Sequence, residues 1–315
     1  MHANTTLMET LTVESGGITL RGVKTPRSAD DAGERSPLLF VHGYPDTRAT
    51  WSPQLEAFGR ARSVAAFDLP GVGESRGVVG RGRLRIEALL ADLEAVIDAA
   101  WGAEARVHLI GHDWGGALAL CFASDPRRAA RLRSVVTIAG PHPALMMARL
   151  RAALRSGEAA ELRFFAGQLR RSWYMLAFQI PGLAEALWRR WPEALWRRVH
   201  RGGGVPREDP ELAATREVIL SAGIGMLGLY RENLSVVRPR LPTISAPTCL
   251  IAPSRDFALM PALYDNLRAH TQALEAHYVE ANHWAHREIP GVVNGIIEAF
   301  VRRVEDAGSV REDRS

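Results

Sequence analysis

The sequence predicts an α/β fold in which a doubly wound, mostly parallel sheet is interrupted by a helical insertion. Two observations predict it. Short, continuous apolar runs alternate with stretches whose apolar residues recur at helical spacing, a pattern typical of strands buried on both faces of a parallel sheet. From about Pro141 to Arg238 this alternation stops, and the chain becomes helical in pattern and rich in Arg, Ala, Leu and Trp.

The part of the chain before the insertion is predicted to contain a hairpin, four further strands and an amphipathic helix. Gly16-Gly17 marks the turn of the hairpin. Apolar residues three and four apart mark the helix. In chain order these elements are the hairpin strands Thr10–Val13 and Ile18–Val23, the strands Pro37–Val41 and Ser63–Phe67, the helix Ile86–Ile97, and the strands Arg106–Ile110 and Leu132–Ala139.

A second α/β stretch follows the insertion. Its predicted elements are strand Thr248–Ala252, a helix around Pro261–Ala269, strand Ala276–Val279 and helix Val292–Val304, after which the polar residues Glu305–Ser315 are expected to fray. We therefore expect one core built from residues 1–141 and 239–304, a helical cap at 142–238 and a polar tail at 305–315. Such a cap would cover the carboxyl ends of the strands, where ligands bind in these sheets.

Composition excludes several classes of function. The 315 residues carry a formal charge of only +4, and Lys24 is the sole lysine among dispersed arginines, so no nucleic-acid partner is expected. No secretory signal and no apolar run long enough to cross a bilayer is evident. Cys121 and Cys249 lie in apolar contexts, which favours buried thiols and a cytoplasmic location. Neither metal-ligand spacing nor a phosphate-binding loop is present, so no metal or cofactor is expected.

The stretch Gly111-His112-Asp113-Trp114-Gly115-Gly116 is the most informative motif. It follows an apolar run and precedes a helical stretch, which is the strand, sharp turn and helix of a nucleophile elbow. Gly111 and Gly115 supply the small residues that this crowded turn needs. The central residue is Asp113 rather than the usual Ser. An Asp capping the following helix is the structural alternative.

An aspartate at this position implies a particular chemistry. A serine that attacked a saturated carbon would form an ether, which water does not easily cleave. A carboxylate such as Asp113 would form an alkyl ester, and water can attack the carbonyl carbon of that ester. The motif therefore favours displacement at saturated carbon, with epoxides or alkyl halides as substrates.

Two further polar residues follow predicted strands in an informative order. Asp256 comes after strand Thr248–Ala252, and His283 comes after strand Ala276–Val279. Singly, Asp256 would be interpreted as a helix cap and His283 as a loop histidine. Together with Asp113 they follow the order nucleophile, acid and histidine, each just beyond a strand end where they can meet, so the catalytic interpretation is favoured.

These motifs together resemble the epoxide hydrolase branch of the α/β-hydrolase fold, from about Leu38 to Phe300. The resemblance implies an eight-stranded, mostly parallel sheet. This sequence departs from the family's pattern at Leu229, where an aromatic residue is common, and at Asn282, where Gly is usual. Residues 185–215 match no motif of the family. The matching motifs are His42-Gly43-Tyr44-Pro45-Asp46, the elbow Gly111–Gly116, Arg255-Asp256-Phe257, His283-Trp284 with Glu288 and Pro290, and the cap segments Trp173–Pro181 and Leu229–Asn233.

The resemblance implies a role for each matching side chain. Asp113 would attack an epoxide carbon, while Tyr174 and Tyr230 would bind the epoxide oxygen and donate a proton to it. A phenol, with an ordinary pKa of about 10, remains protonated at neutral pH. His283, oriented by Asp256, would activate the water that hydrolyses the ester.

The resemblance also implies supporting roles and partners. Backbone N–H groups of Tyr44 and Trp114 would form the oxyanion hole, and His42 and Pro45 would hold its loop in shape. The expected partners are a small apolar epoxide and water, without cofactor or metal, in a detoxifying hydrolase that acts on ether bonds. Whether the protein is a monomer or a homodimer is left open.

Two other functions share some of these motifs. A haloalkane dehalogenase would need N–H donors for a departing halide. Tyr44 replaces the expected Asn, but Trp173 is a candidate donor, so this alternative stays open. A fluoroacetate-type dehalogenase would carry Arg where Trp114 stands. The tyrosine pair favours the epoxide, because a halide needs no proton. A non-catalytic binding protein would not need these five side chains.

A repeated Leu-Trp-Arg-Arg unit occupies Leu187–Arg198. It is interpreted either as a membrane-surface patch or as a cap helix with buried tryptophans and solvated arginines. Pro192 interrupts any long amphipathic stripe, so the second interpretation is favoured.

Overall fold

A mixed β-sheet forms the centre of the protein. The computed structural model describes residues 8–26, 35–77, 79–233 and 241–312. Within these ranges the sheet has nine strands: β1 Glu9–Ser15, β2 Ile18–Lys24, β3 Leu38–Val41, β4 Val64–Phe67, β5 Arg76–Gly77, β6 Val107–His112, β7 Leu132–Ile138, β8 Thr248–Pro253 and β9 Leu274–Val279.

Eight of these strands follow one another in the order β1-β2-β4-β3-β6-β7-β8-β9, and the two-residue β5 pairs with β2 beside this path. β1 and β2 form an antiparallel hairpin that turns at Gly16 and Gly17, whose φ angles are 54° and 77°. From β4 to β9 each neighbouring pair is parallel. Apart from the two-residue β5, the sheet has eight mostly parallel strands, so this prediction is confirmed.

Helices flank the sheet and form the insertion. In chain order they are α1 Ser52–Phe58, α2 Ile86–Trp101, α3 Trp114–Ser124, α4 Pro126–Ala129, α5 Pro143–Ser156, α6 Ala159–Arg171, α7 Trp173–Ala177, α8 Leu183–Arg190, α9 Pro192–Gly202, α10 Arg216–Gly225, α11 Leu227–Asn233, α12 Ala285–Glu288 and α13 Pro290–Glu312. Helices α5 to α11 lie between β7 and β8 and are called the insertion below. Within the described ranges, no helix is long and apolar enough to span a bilayer.

The central strands are buried on both faces. Successive side chains of a strand point to opposite faces, and β3 shows this clearly. Leu38 and Phe40 belong to an apolar cluster that includes Phe300 of α13. Leu39 and Val41 belong to a second cluster that includes residues of α2 and α3. All four β3 side chains are fully buried, which explains the continuous apolar run in the sequence.

The strand order places a crevice at the carboxyl edge of the sheet. β3 lies between β4 and β6, so the chain leaves β3 on one side and later returns on the other. The loops that follow β3 and β6 consequently diverge, and ligands bind in such crevices. These loops carry Tyr44 and Asp113.

The predicted fraying of Glu305–Ser315 is wrong for most of that segment. Helix α13 continues to Glu312. The Glu305 carboxylate accepts hydrogen bonds from Arg62 at 3.0 Å and from His108 Nε2 at 3.2 Å, and both partners are buried. These long-range contacts hold the helix against the sheet. Residues 313–315 and the predicted insertion limit at 238 and 239 lie outside the described residues.

The prediction of one continuous helix around Pro261–Ala269 is also wrong. Two 3₁₀ helices, Pro261–Tyr264 and Leu267–His270, occupy this stretch. Asn266 lies between them, and its side-chain amide donates to the Leu145 carbonyl of α5 at 2.9 Å. This hydrogen bond to the insertion therefore lies where the first 3₁₀ helix ends and the second has not yet begun.

Replacing Glu305 with glutamine should lower stability in a pH-dependent way. Burial opposes ionisation, but hydrogen bonds from His108 and Arg62 lower the pKa of Glu305 from 4.5 to about 2. A carboxyl with a lowered pKa stabilises the fold above pH 4.5, and this contribution is lost as the pH falls towards 2. We expect Glu305→Gln to lose about 1–2 kcal/mol of unfolding free energy at pH 7 in urea titrations, and less at pH 3.

Glu298→Gln, on an exposed position of the same helix, is the matched control and should change little at either pH. Equal losses for Glu305→Gln at pH 7 and pH 3 would contradict the electrostatic explanation.

Candidate active site

The turn between β6 and α3 holds Asp113 in a strained backbone conformation, with φ 50° and ψ −118°. The turn closes because Gly111 and Gly115 lack side chains. A Cβ on Gly111 would lie 2.1 Å from the Gly115 carbonyl oxygen, and a Cβ on Gly115 would lie 2.0 Å from the Val41 carbonyl oxygen. Close packing therefore requires the small residues on either side of Asp113.

The side chain of Asp113 does not cap α3. Its Oδ2 instead accepts a hydrogen bond from the backbone N–H of Tyr44 at 2.9 Å. The backbone N–H of Trp114 also stabilises the charged carboxylate and lowers its pKa. The helix-cap alternative is therefore wrong. The two N–H groups predicted to form an oxyanion hole both converge on Asp113.

The structure brings Asp256 and His283 to the same edge as Asp113. His283 Nδ1 donates to Asp256 Oδ2 at 2.7 Å, while Asp256 Oδ1 accepts from the backbone N–H groups of Ala258 and Leu259 at 2.7 and 3.0 Å. This bond fixes the imidazole ring. Its Nε2 then lies 3.8 Å from Asp113 Oδ1.

His42 and Pro45 lie in the loop that presents the Tyr44 N–H group. His42 Nε2 accepts a hydrogen bond from the Leu69 N–H at 3.0 Å. Its proton is therefore on Nδ1, which donates to the Gly43 carbonyl at 2.9 Å. The Tyr44–Pro45 peptide is cis, and Pro45 lines the cavity above Asp113. His42 thus links the loop after β3 to the loop after β4.

Tyr174 of α7 and Tyr230 of α11 line the same cavity as Asp113. Their ring centroids are 6.0 Å apart. Tyr230 also packs edge-on against Trp114 at 5.3 Å and against Tyr44 at 5.2 Å. Two helices of the insertion therefore bring both predicted tyrosines to the carboxylate.

Burial separates the protonation states of these groups. It raises the pKa of Asp113 to about 6, although His283 and the two N–H donors lower it. Burial alone would lower the pKa of His283, but the charge and hydrogen bond of Asp256 outweigh burial and raise it. Burial and negative charge both raise the pKa of Tyr174 and of Tyr230. Near neutral pH the site therefore pairs an ionised carboxylate with two protonated phenols.

The cavity lies between the sheet edge and the insertion and has a volume of about 910 Å³. Its floor carries Asp113 and His283. Apolar walls include Phe178, Trp188 and Val199. Such a cavity can hold an apolar molecule with a saturated electrophilic carbon against Asp113 and its leaving oxygen against the phenols.

Known proteins share this architecture. A family model described as the α/β hydrolase fold matches residues 36–173. The solved structure of a Bacillus megaterium epoxide hydrolase in complex with an inhibitor superposes with a TM-score of 0.75 at 22% identity, covering 92% of this chain and 99% of that one. The chain has the α/β-hydrolase fold. A potato epoxide hydrolase structure also superposes, with a TM-score of 0.68 at 18% identity over 94% and 100% of the two chains.

Curated relatives of this α/β-hydrolase-fold protein include proteins named epoxide hydrolases. Epoxide hydrolase 4 of Mus musculus is 27% identical over 288 residues, which cover 86% of this chain and 75% of that protein. Epoxide hydrolase 3 of Xenopus tropicalis is 27% identical over 281 residues, which cover 85% and 72%. The chain is therefore similar to epoxide hydrolases along most of its length.

A buried polar cluster lies behind His283, and its members are not among the site residues predicted from the sequence. Asp46 Oδ2 accepts from the Trp284 indole at 2.9 Å, and Asp46 Oδ1 accepts from the Thr47 N–H at 3.0 Å. His112 Nε2 donates to the His283 carbonyl at 3.0 Å. These bonds hold the backbone of the histidine motif. Asp46 belongs to the motif His42–Asp46 and His112 to the elbow Gly111–Gly116. A histidine at the buried end of β6 is the sequence signal that points to His112.

Two groups of side chains in the described part bring three possible metal ligands within 4.8 Å of one another: Asp46 with His112 and His286, and Cys249 with Glu275 and His277. Both Asp46 oxygens already accept the hydrogen bonds above, and Glu275 is bound by Arg303 and His277. Neither group lines the cavity, and the expectation of no metal stays a prediction.

Replacing Asp113 with asparagine should stabilise the protein at high pH. Because burial raises the pKa of Asp113 from 3.8 to about 6, its charged form is less favourable in the folded chain than in the unfolded chain. This penalty is absent below pH 3.8 and complete above pH 6. We expect Asp113→Asn to gain about 2–3 kcal/mol of unfolding free energy at pH 8 and little at pH 4, measured by urea unfolding.

Asp98→Asn, at an exposed aspartate paired with Arg131, serves as the control and should show no gain at pH 8. A destabilised Asp113→Asn at pH 8 would contradict the burial argument.

Proposed function

We propose that this protein is an epoxide hydrolase that converts epoxides to vicinal diols through a covalent ester on Asp113. One observation carries the proposal: a single cavity is lined by the carboxylate of Asp113 and by two protonated phenols, Tyr174 and Tyr230. The relatives named epoxide hydrolases support the same reaction.

In the first step, a carboxylate oxygen of Asp113 attacks an epoxide carbon. The bond from that carbon to the epoxide oxygen breaks, and an ester bond forms. One of Tyr174 and Tyr230 donates its proton to the departing oxygen while the other donates a hydrogen bond. The products are a hydroxyalkyl ester and one phenolate. Both phenols are protonated when the substrate binds, because burial and nearby negative charge raise their pKa above the ordinary value.

In the second step, water hydrolyses the ester. His283 Nε2 takes a proton from the water, whose oxygen attacks the carbonyl carbon of Asp113, and Asp256 stabilises the imidazolium. The N–H groups of Tyr44 and Trp114 stabilise the oxyanion. Collapse releases the diol oxygen, which takes the proton from His283. Asp113 is regenerated as a carboxylic acid, and its proton passes to the phenolate, which restores the starting state.

Haloalkane dehalogenation fits the cavity less well. A halide needs desolvated N–H donors. Trp173 was the candidate donor, but its side chain is 65% exposed. The indole N–H of Trp188 is already bound to the Tyr44 hydroxyl at 3.0 Å. A non-catalytic binding function leaves unexplained why five catalytic side chains converge.

The finer features of the protein belong to the same proposal. The insertion acts as a cap over the substrate, and hydrolysis would detoxify reactive epoxides. Cys121 and Cys249 form no disulfide, which is compatible with the proposed reducing, cytoplasmic location. Water is the second substrate, and either a monomer or a homodimer is compatible with this site.

A parallel assay of an aryl epoxide and a 1-haloalkane tests the reaction. Diol formation without halide release is expected. Tyr174→Phe combined with Tyr230→Phe should reduce diol formation by about 10²- to 10⁴-fold, because proton donation is lost. Tyr278→Phe, at an exposed tyrosine outside the cavity, is the matched control and should retain activity. Halide release alone, or full diol formation by the double variant, would overturn the assignment.

Trapping the intermediate tests the mechanism. His283→Gln should still form the ester but hydrolyse it slowly. Intact-protein mass spectrometry should then show an adduct of substrate mass, and peptide mapping should place it on the peptide containing Asp113. In ¹⁸O-water, a single turnover of the unchanged enzyme should place label in the Asp113 carboxylate and not in the first diol. Label in the first diol without an adduct would indicate direct attack by water. Asp113→Asn combined with His283→Gln is the control and should form no adduct.

A further inference from the structure

Exposed apolar side chains are concentrated in one part of the insertion. The described residues include thirteen large apolar side chains with high exposure, and nine of them lie between residues 154 and 191. Trp173, Leu176 and Ile180 are 65%, 62% and 54% exposed. Isolated exposed apolar residues are ordinary, but a concentration of them marks an interaction surface.

Two of the exposed residues of α7 and α8 line the cavity, and the others are their neighbours in the chain. Leu183 and Leu187 are one turn apart on α8, so they share a side of the helix. The Leu183 N–H donates to the Ile180 carbonyl at 3.3 Å, which joins α8 to the turn after α7. Trp173 and Leu187 both line the substrate cavity. The five residues Trp173, Leu176, Ile180, Leu183 and Leu187 are called the α7–α8 face below.

The Leu-Trp-Arg-Arg repeat contributes less to this face than its sequence suggests. Trp188 and Trp196 are buried, with exposures of 4% and 0%. The interpretation as a helix with buried tryptophans therefore holds for these two residues. Residues outside the repeat, on α7 and the turn after it, supply most of the exposed apolar surface.

Positive charge is concentrated in the same segment. Residues 142–202 contain eleven arginines and four glutamates, a formal charge of +7. The whole chain carries +4, so the remaining residues together carry −3. Residues 142–202, the first part of the insertion, are therefore basic, while the rest of the chain is slightly acidic.

Much of this positive charge is unpaired. Three of the four glutamates are already bound to arginines, in the pairs Glu161–Arg149, Glu185–Arg231 and Glu193–Arg216. Within the described part of the chain, Arg170, Arg171 and Arg198 have no acidic partner, and all three line the cavity that also contains Trp173 and Leu187. Arg190 lies one turn after Leu187 on α8 and is exposed. Cations thus surround the apolar face.

We propose that the α7–α8 face docks on the surface of an anionic lipid bilayer, with the mouth of the cavity directed at the acyl layer. Large apolar side chains bordered by arginines are the composition that binds at the interface of anionic membranes. The arginine stems can lie along the apolar surface while their guanidinium groups reach the headgroups.

Charge also disfavours a second copy of the chain as the occupant. A two-fold contact would bring this face against itself, and Arg170, Arg171 and Arg190 would be brought towards arginines of the other copy. An anionic surface removes this repulsion. If the proposed function holds, docking would also let apolar epoxides pass from the bilayer into the cavity.

Sedimentation with sucrose-loaded vesicles tests the proposal. We expect the full chain to sediment with phosphatidylcholine vesicles that contain about one quarter phosphatidylglycerol, to bind phosphatidylcholine alone weakly, and to dissociate at high salt. Leu176→Ser combined with Ile180→Ser should weaken partitioning by at least about tenfold. Arg190→Gln should weaken it roughly fivefold. None of these residues lines the cavity, so turnover of a water-soluble epoxide should be unchanged.

Val292→Ser and Arg302→Gln, at exposed positions of α13, are the matched controls and should bind vesicles like the unchanged protein. Absence of binding to the phosphatidylglycerol vesicles would overturn the proposal. So would self-association in sedimentation equilibrium that Leu176→Ser with Ile180→Ser abolishes, because the face would then be a contact between copies. Vesicle binding is measured without substrate, so its failure is distinguishable from failure of the epoxide hydrolase assignment.

Discussion

The candidate site depends on the strained backbone at Asp113. A positive φ at the end of a buried strand directs the carboxylate out of the sheet, over the crevice between the loops that follow β3 and β6. Neighbouring chain segments pack within van der Waals contact of the turn, and this packing holds the backbone of Asp113 in its strained conformation. A Cβ on Gly43 would lie 2.5 Å from the Asp113 Cβ, and a Cβ on Gly140 would lie 2.4 Å from its carbonyl oxygen. Packing of three loops therefore decides where the nucleophile points.

Tyr44 connects this turn to the insertion. Its backbone N–H group binds the Asp113 carboxylate, while its hydroxyl donates to the Gly223 carbonyl and accepts from the Trp188 indole, both at 3.0 Å. Its ring packs against Tyr230 at 5.2 Å. One residue thus joins the oxyanion loop, the helices of the insertion and one proton donor, so the donors keep a defined position above the carboxylate.

Burial supplies most of the electrostatics of the proposed reaction. It raises the pKa of the phenols and of Asp113, and it would lower that of His283 without Asp256. The buried Asp256 carboxylate is itself satisfied by two backbone N–H groups and the imidazole. Near neutral pH Asp113, with a pKa of about 6, is still ionised because His283 and the backbone N–H donors oppose the effect of burial, while the phenols remain protonated, and ring opening requires both states.

Local sequence determined the strands, the hairpin and the position of Asp113. Apolar runs indicate the strands, paired glycines indicate the hairpin turn and the elbow glycines indicate the turn at Asp113, and each of these signals lies within a few residues of the chain. Local sequence also placed Asp256 and His283 just after strands, and parallel pairing then brings strand ends to one edge. Only the tertiary structure decided that α13 continues past Glu305, because that end is held by Arg62 and His108, which are distant in the chain. The polar cluster at Asp46 and the exposed α7–α8 face were likewise decided by long-range packing. Whether a polar residue is paired and an apolar residue covered depends on neighbours that no local pattern specifies.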